Sequence, residues 1–397
     1  METQSKRRTN RRKKQRSGFL IALGLTKQLV ILLVTLVMIF VAVMVVVNQD
    51  LLNLDPLKRW VAYGSVETDE EGQTKDFTFS GDVNNSFSSL DGGLLVCSNN
   101  ALRLFSDSGK EEISQTVTME NPVIFSDDSY AVVYDAGGSD LYVFHETSQV
   151  FSYSTSNGAV LLSAKVNKNG YLAVIEQATG YKASVRVYDN HYQNLIDVNE
   201  STHFVTDAVV SEDNRSLAII KIYQQDAALN SDLVIHNLSN PDETTTTTIG
   251  DELVIDLRWT NGRIWMEQEH GITVADKNGQ ILNTWGDSSK YLESYALEGS
   301  GYAVELMSKY RSGSAGELWI IGDDGEQRVS RRISEEVLSV SAAGRYVAVL
   351  TTSSLVIYTD DLQEYAAVAN RTSRRAIMRD DGSVMLIGTE NAHLFIP

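Results

Sequence analysis

The chain has 397 residues, with 34 Lys+Arg against 52 Asp+Glu and one cysteine, Cys97. Residues 1–28 hold nine of the bases and one acid, leaving 25 bases and 51 acids, a net charge of −26, on the remainder. So acidic a remainder excludes nucleic acid as its partner, and a single cysteine excludes an intramolecular disulfide, which fits a bacterial envelope better than a eukaryotic secretory pathway.

Residues 1–28 are a basic cytoplasmic tail: eight bases fall between Lys6 and Arg16. Leu29 to Val47 follow as 19 consecutive uncharged residues. At about 1.5 Å per residue such a helix crosses a ~30 Å hydrocarbon core. The run is too long for a secretory h-region and ends Met44-Val45-Val46-Val47 without a small-x-small cleavage site, so it reads as an uncleaved signal anchor. The positive-inside bias keeps the tail in the cytoplasm, against anionic lipid, and puts everything after residue 47 outside the cell membrane.

Residues 48–75 form a stalk. Asp55-Pro56 is an N-cap followed by proline at the first helical position, and it predicts a short helix to Tyr63, ended by Gly64. Glu67 to Lys75 is charged, with the composition of a mobile segment.

From residue 76 onward, short apolar strands alternate with Gly/Asn/Asp/Ser turns, and proline is scarce. A turn followed by an apolar strand recurs eight times, from Asp91-Gly92-Gly93-Leu94-Leu95-Val96 to Asp381-Gly382-Ser383-Val384-Met385-Leu386. Equivalent positions 94, 131, 173, 218, 264, 303, 348 and 385 lie 37 to 46 residues apart. A second strand alternates with period two, as in Leu102-Arg103-Leu104-Phe105, and a hairpin turn and a more polar strand follow it. With the strand before each first turn, every unit has four strands. Such a unit has two apolar faces and buries both only when packed between copies of itself around an axis. The fold class is therefore all-β: an eight-bladed β-propeller, with seven blades as the alternative count, preceded by one transmembrane helix. The eighth unit runs out after Ala392 to Ile396 without an outermost strand. The spare strand Asp76 to Ser80 supplies it and closes the ring, giving a propeller domain over 76–397.

The turns that open each unit's apolar strand, such as Arg379-Asp380-Asp381-Gly382-Ser383-Val384, resemble the Ser-Pro-Asp-Gly hairpins of WD40-like and TolB-type propellers, without the proline. A basic tail, one membrane helix and an external propeller together are similar to an uncharacterised Gram-positive bacterial family of single-pass membrane-anchored propellers. That resemblance implies an address and a fold, not an activity.

No His-Glu-x-x-His, Gly-x-Ser-x-Gly, P-loop or Cys-x-x-Cys occurs. The six histidines are scattered, the Asp pairs suit hairpin turns, and the tryptophans from Trp259 to Trp319 suit packing between blades. No catalytic residue, metal or cofactor is called. The spacing between the two apolar strands is longest in units three, four and six. Those excursions carry Tyr181, Lys182, Tyr223, Gln224, Gln225, Tyr310 and Arg311, types suited to a recognition surface over a rigid scaffold. They emerge on the face that carries the blade-to-blade connections, and the stalk is expected to enter from the opposite face. The expectation is a binding or scaffold module for an extracytoplasmic protein or polysaccharide. The alternatives are an envelope hydrolase or lyase with its site in the central channel, and a structural subunit held by its membrane helix.

Overall fold

The protein is described by a computed structural model covering residues 32–40, 55–64, 66–79, 84–225, 228–310 and 315–397. The chain divides into two compact units, Met1–Ala62 and Tyr63–Pro397. The basic tail lies outside the described residues. Of the expected span 29–47, residues 32–40 are described, as a helix (α1). Its eight large apolar side chains are 53–69% exposed, from Val37 at 53% to Met38 at 69%. Among the described residues, no helix is long and apolar enough to cross a membrane. The short helix α2 spans Asp55–Tyr63, as its N-cap and Gly64 predict.

Eight four-stranded antiparallel sheets follow. In sequence order they occupy residues 86–116, 122–154, 160–200, 204–250, 254–286, 291–333 and 337–369, and then 375–395 with Phe77–Thr78. These are blades one to eight. Each of the first seven is a simple meander whose first strand lies nearest the axis. Second strands are the most deeply buried, along their whole length at Tyr302–Ser308 and Tyr346–Thr351. Fourth strands show their alternate residues to solvent, as at Glu111–Thr116. The difference follows from position, because an inner strand has a blade on either side. Each fully buried Val, Leu or Ile there contributes roughly 1.5–3 kcal/mol.

Closure occurs where the spare strand predicts it. Phe77 pairs with Ala392 and Thr78 with Asn391, as the outermost strand of blade eight. Phe77 and Phe79 pack with Leu94, Phe105 and Leu394, so this seam joins blade eight to blade one. The seam is longer than expected, because residues 67–75 are built into the ring and are not a mobile link. Thr68 and Thr74 form a bridge, and Asp69 accepts the N–H groups of Glu71 and Gln73, both at 2.9 Å. The Thr74 N–H then donates to Leu394 O at 2.8 Å, and the Ile396 N–H to Gly72 O at 2.9 Å. Gly72 has φ +80, and a Cβ there would sit 2.4 Å from the Ile396 carbonyl oxygen, so glycine is required on both counts.

Tyr63 opens the second unit among the short turns. Its hydroxyl lies 3.2 Å from Ser383 Oγ and accepts from Arg379 Nη1 at 3.1 Å. Arg379 Nη1 also lies 2.7 Å from Asp107 Oδ1. These residues belong to the first turn of blade eight and the hairpin turn of blade one. Tyr63 thus sits on the turn face of the ring, opposite the longer loops.

Candidate functional site

The loop face of the ring is uneven. In blade four, Ser216–Gln225 and Ala228–Asn237 pair from Ser216↔Asn237 out to Gln225↔Ala228. The stretch expected as a loop is therefore a protruding hairpin, in which Tyr223↔Asn230 and Gln224↔Leu229 continue the ladder. In blade seven the corresponding pairing stops at Leu350↔Leu355. The extended hairpin lifts Leu229, 52% exposed, clear of the disc.

Beside it, residues of blades three and four meet. Lys182 Nζ sits 4.2 Å from the centroid of the Phe204 ring. The Tyr223 ring stands edge-on to His203 at 5.2 Å, and its hydroxyl donates to Asp232 Oδ1 at 3.3 Å. Glu200 accepts from Lys221 Nζ at 2.8 Å, from Thr202 Oγ1 at 2.6 Å and from the His203 N–H at 3.1 Å. Burial opposes its charge, but these donors prevail and hold the carboxyl well below the usual carboxylate range. The aromatic surface above it thus rests on a fixed ionic base. Tyr181, next to Lys182 in the chain, is 45% exposed. Tyr310, 65% exposed, belongs to blade six and stands apart from this group. Arg311 and the side chain of Gln225 lie outside the described residues.

Five further residues join them, all exposed: Leu229, within the long excursion of blade four, and Leu162, Phe204, Leu253 and Ile255, which a count of loop lengths does not reach. Phe204, Leu253 and Ile255 sit at or just before the start of first strands, where the chain arrives on the loop face. Leu162 and Ile255 are the extra residues of β-bulges, since the pairing shifts between Leu161 and Ser163 and between Val254 and Asp256. A bulge puts two residues against one and turns an apolar side chain outward that alternation would bury. With Tyr181 and Tyr310 these make seven of the ten large exposed hydrophobics found in the ring among the described residues. The other three, Val150, Leu195 and Leu282, lie on outermost strands. The loop ends of blades one, two, seven and eight contribute none.

Around the axis, a cavity of about 990 Å³ is lined by inner strands of blades one, two, five, six, seven and eight. Lys165 reaches from blade three to Asp207 of blade four at 2.5 Å and to Asp256 and Leu257 O of blade five, both at 2.6 Å. Burial works against its charge, yet the two carboxylates hold its pKa above the ordinary lysine value. Arg258 crosses from blade five to Ser126 O of blade two at 3.1 Å and to Glu298 at 2.7 Å. Asp127 accepts from the Lys168 N–H at 2.9 Å, and burial raises its pKa. Carboxylates therefore do line the channel, and Asp127, Asp256 and Glu298 among them are engaged with neighbours. Among the described residues, no group of His, Cys, Asp and Glu has the arrangement of a metal site.

Between blades five and six, Glu267 and Glu305 are both fully buried, among Trp265, Ala303, Met307 and Trp319. Burial raises both carboxyls; the charge of Glu305 adds to the effect at Glu267, and Glu305 reaches about 8. Burial thus favours the protonated form of both carboxyls.

The comparisons with known proteins agree with this architecture. The C-terminal WD40 domain of Sif2 aligns with a TM-score of 0.58 at 11% identity, covering 83% of this chain and 100% of that domain. The computationally designed Ika8 protein aligns with a TM-score of 0.56 at 11% identity, covering 81% and 99%. BamB from Moraxella catarrhalis gives 0.51 at 11% identity, covering 82% and 99%. At such identities the likeness is one of fold. No curated protein matches. Residues 63–392, the ring and its closing segment, match a family of unknown function, DUF5711, and the chain belongs to that family.

Proposed function

We propose that the protein is a single-pass, membrane-anchored propeller that presents the loop face of blades three to six to a protein partner outside the cell. The observation that carries this reading is that exposed Leu162, Tyr181, Phe204, Leu229, Leu253, Ile255 and Tyr310 all fall on the loop side of four consecutive blades. Apolar residues confined to one side of one half of the ring, beside Lys182 and His203, mark an interaction site better than residues exposed at random do. The mix of aliphatic and aromatic groups suits the desolvated centre of a protein interface. Anchoring is supported by the uncharged run 29–47 and by the outward apolar side chains of α1. The basic tail then lies on anionic lipid inside the cell.

The test is affinity capture of the full chain from detergent-solubilised membranes. The double variant Phe204→Ser/Leu229→Ser should lose proteins that both wild type and a blade-seven control, Thr352→Arg, retain. Equal recovery by all three would remove the loop face from the binding role. An envelope hydrolase acting through the channel predicts a different outcome: loss of activity on wall material in Asp127→Asn, with capture unchanged.

A further inference from the structure

The second helix is inside out. Along α2 the buried positions are Asp55, Arg59 and Tyr63, at i, i+4 and i+8. All three are polar or amphipathic. The exposed positions include Leu57, Trp60 and Val61, at 57%, 72% and 71% exposure. These three share one face by the i, i+3, i+4 rule. Lys58, 62% exposed and paired with Asp55 at 3.1 Å, borders that face. A helix designed for water would carry the opposite pattern.

We infer that α2 lies in the headgroup region of the membrane, with Leu57, Trp60 and Val61 turned toward the acyl chains. The inference rests on the anchored reading above. Three observations commit the face to lipid. The same unit of the chain carries α1, whose large apolar side chains are all exposed, only 14 residues upstream. On the anchored reading only residues 48–54 join the end of the span to α2, and at up to about 3.3–3.6 Å per residue they keep it close to the membrane surface. Tryptophan combines an apolar body with an N–H donor and favours the membrane interface, and Lys58 can extend to the phosphates. Three side chains also make a face far smaller than the roughly 800 Å² per partner of a standard protein interface. As a second contact beside the membrane helix, α2 would fix the chain's exit relative to the bilayer plane, where a single span alone leaves the stalk free to swivel.

Tryptophan fluorescence reads this directly, because Trp60 is far more exposed than any tryptophan of the ring. Trp259, Trp265 and Trp319 are buried, and Trp285 packs edge-on to Trp319 at 3.8 Å. The full chain is reconstituted into vesicles of phosphatidylcholine and phosphatidylglycerol, some with acyl chains brominated near the headgroup. The Trp60 component is the difference between wild type and Trp60→Phe. The expected result is strong quenching of that component by the shallow bromolipid, with at least a several-fold lower quenching by aqueous iodide than free tryptophan shows. Leu57→Asn/Val61→Asn should restore iodide quenching while the protein still floats with the vesicles. A Trp60 component open to iodide, or closed to iodide yet unaffected by bromolipid, would overturn the inference; the latter would mean that protein covers the face. Failure to float would overturn the anchor itself and the inference with it, so the two failures are distinguished by flotation alone.

Discussion

The two halves of the ring solve the same packing problem differently. Blades seven, eight, one and two form the plainer half. Tyr346, Ala348, Leu355 and Ile357 of blade seven meet Ala376, Val384 and Leu386 of blade eight in an apolar interface. Blades three to six form the irregular half. Lys165, Asp207 and Asp256 meet near the axis, Glu267 faces Glu305 between blades, and the exposed apolar residues gather on the loop side. The plain half shows what the fold needs. Departures from it in the other half cost stability and are where function is to be sought.

The contrast can be broken most forcefully at Lys165. Lys165→Met leaves Asp207 and Asp256 buried without their cation, and the expected destabilisation is about 3–5 kcal/mol in denaturant unfolding at neutral pH. A small change would mean that water or rearrangement satisfies those carboxylates. In the plain half, Ile357→Ala removes a fully buried side chain and should cost about 2–5 kcal/mol. That cost should be independent of pH.

Glu305 sharpens the comparison through pH. Its folded value of about 8 stands above the ordinary 4.5, so between those values the native state holds a proton that the unfolded chain has released. Stability is therefore full below about pH 4.5 and falls as pH rises toward 8, by an amount on the order of a few kcal/mol. Glu305→Gln should flatten that slope and leave the protein more stable than wild type at pH 8. Denaturation midpoints measured across this range check it, and parallel slopes would show that the carboxyl is not protonated. The smallest effect on stability is expected at the proposed surface. Leu229→Ser, on the exposed hairpin, should stay within about 0.5 kcal/mol of wild type by the same measurement.

The plain half was almost wholly legible in the chain. The turn-strand repeat, the four strands per unit and the closing role of Phe77 and Phe79 follow from period-two alternation and from a unit that cannot bury its own faces. The irregular half was legible only in part. Lys182 lies over Phe204 and Tyr223 against His203, but Phe204 and His203 lie at or just before the start of a first strand and fall outside the long excursions. The bulges at Leu162 and Ile255 were hidden, because a single inserted residue leaves composition unchanged while reversing which side chain faces out. The buried charges did leave a trace. Lys165 and Asp207 lie 42 residues apart, and Glu267 and Glu305 lie 38 apart. A charge that recurs at the repeat period inside an otherwise apolar strand signals partners on adjacent blades. The sign of the pairing could not be read that way, because it depends on which faces the two side chains share.

The most direct test of the account is photocrosslinking in intact cells with a photoreactive amino acid placed at position 229 in one strain and at 352 in another. Both positions lie on the loop face, one in each half of the ring. A discrete protein adduct from position 229 and none from 352 is the predicted result. Adducts of equal yield from both, or from 352 alone, would contradict the assignment of binding to blades three to six.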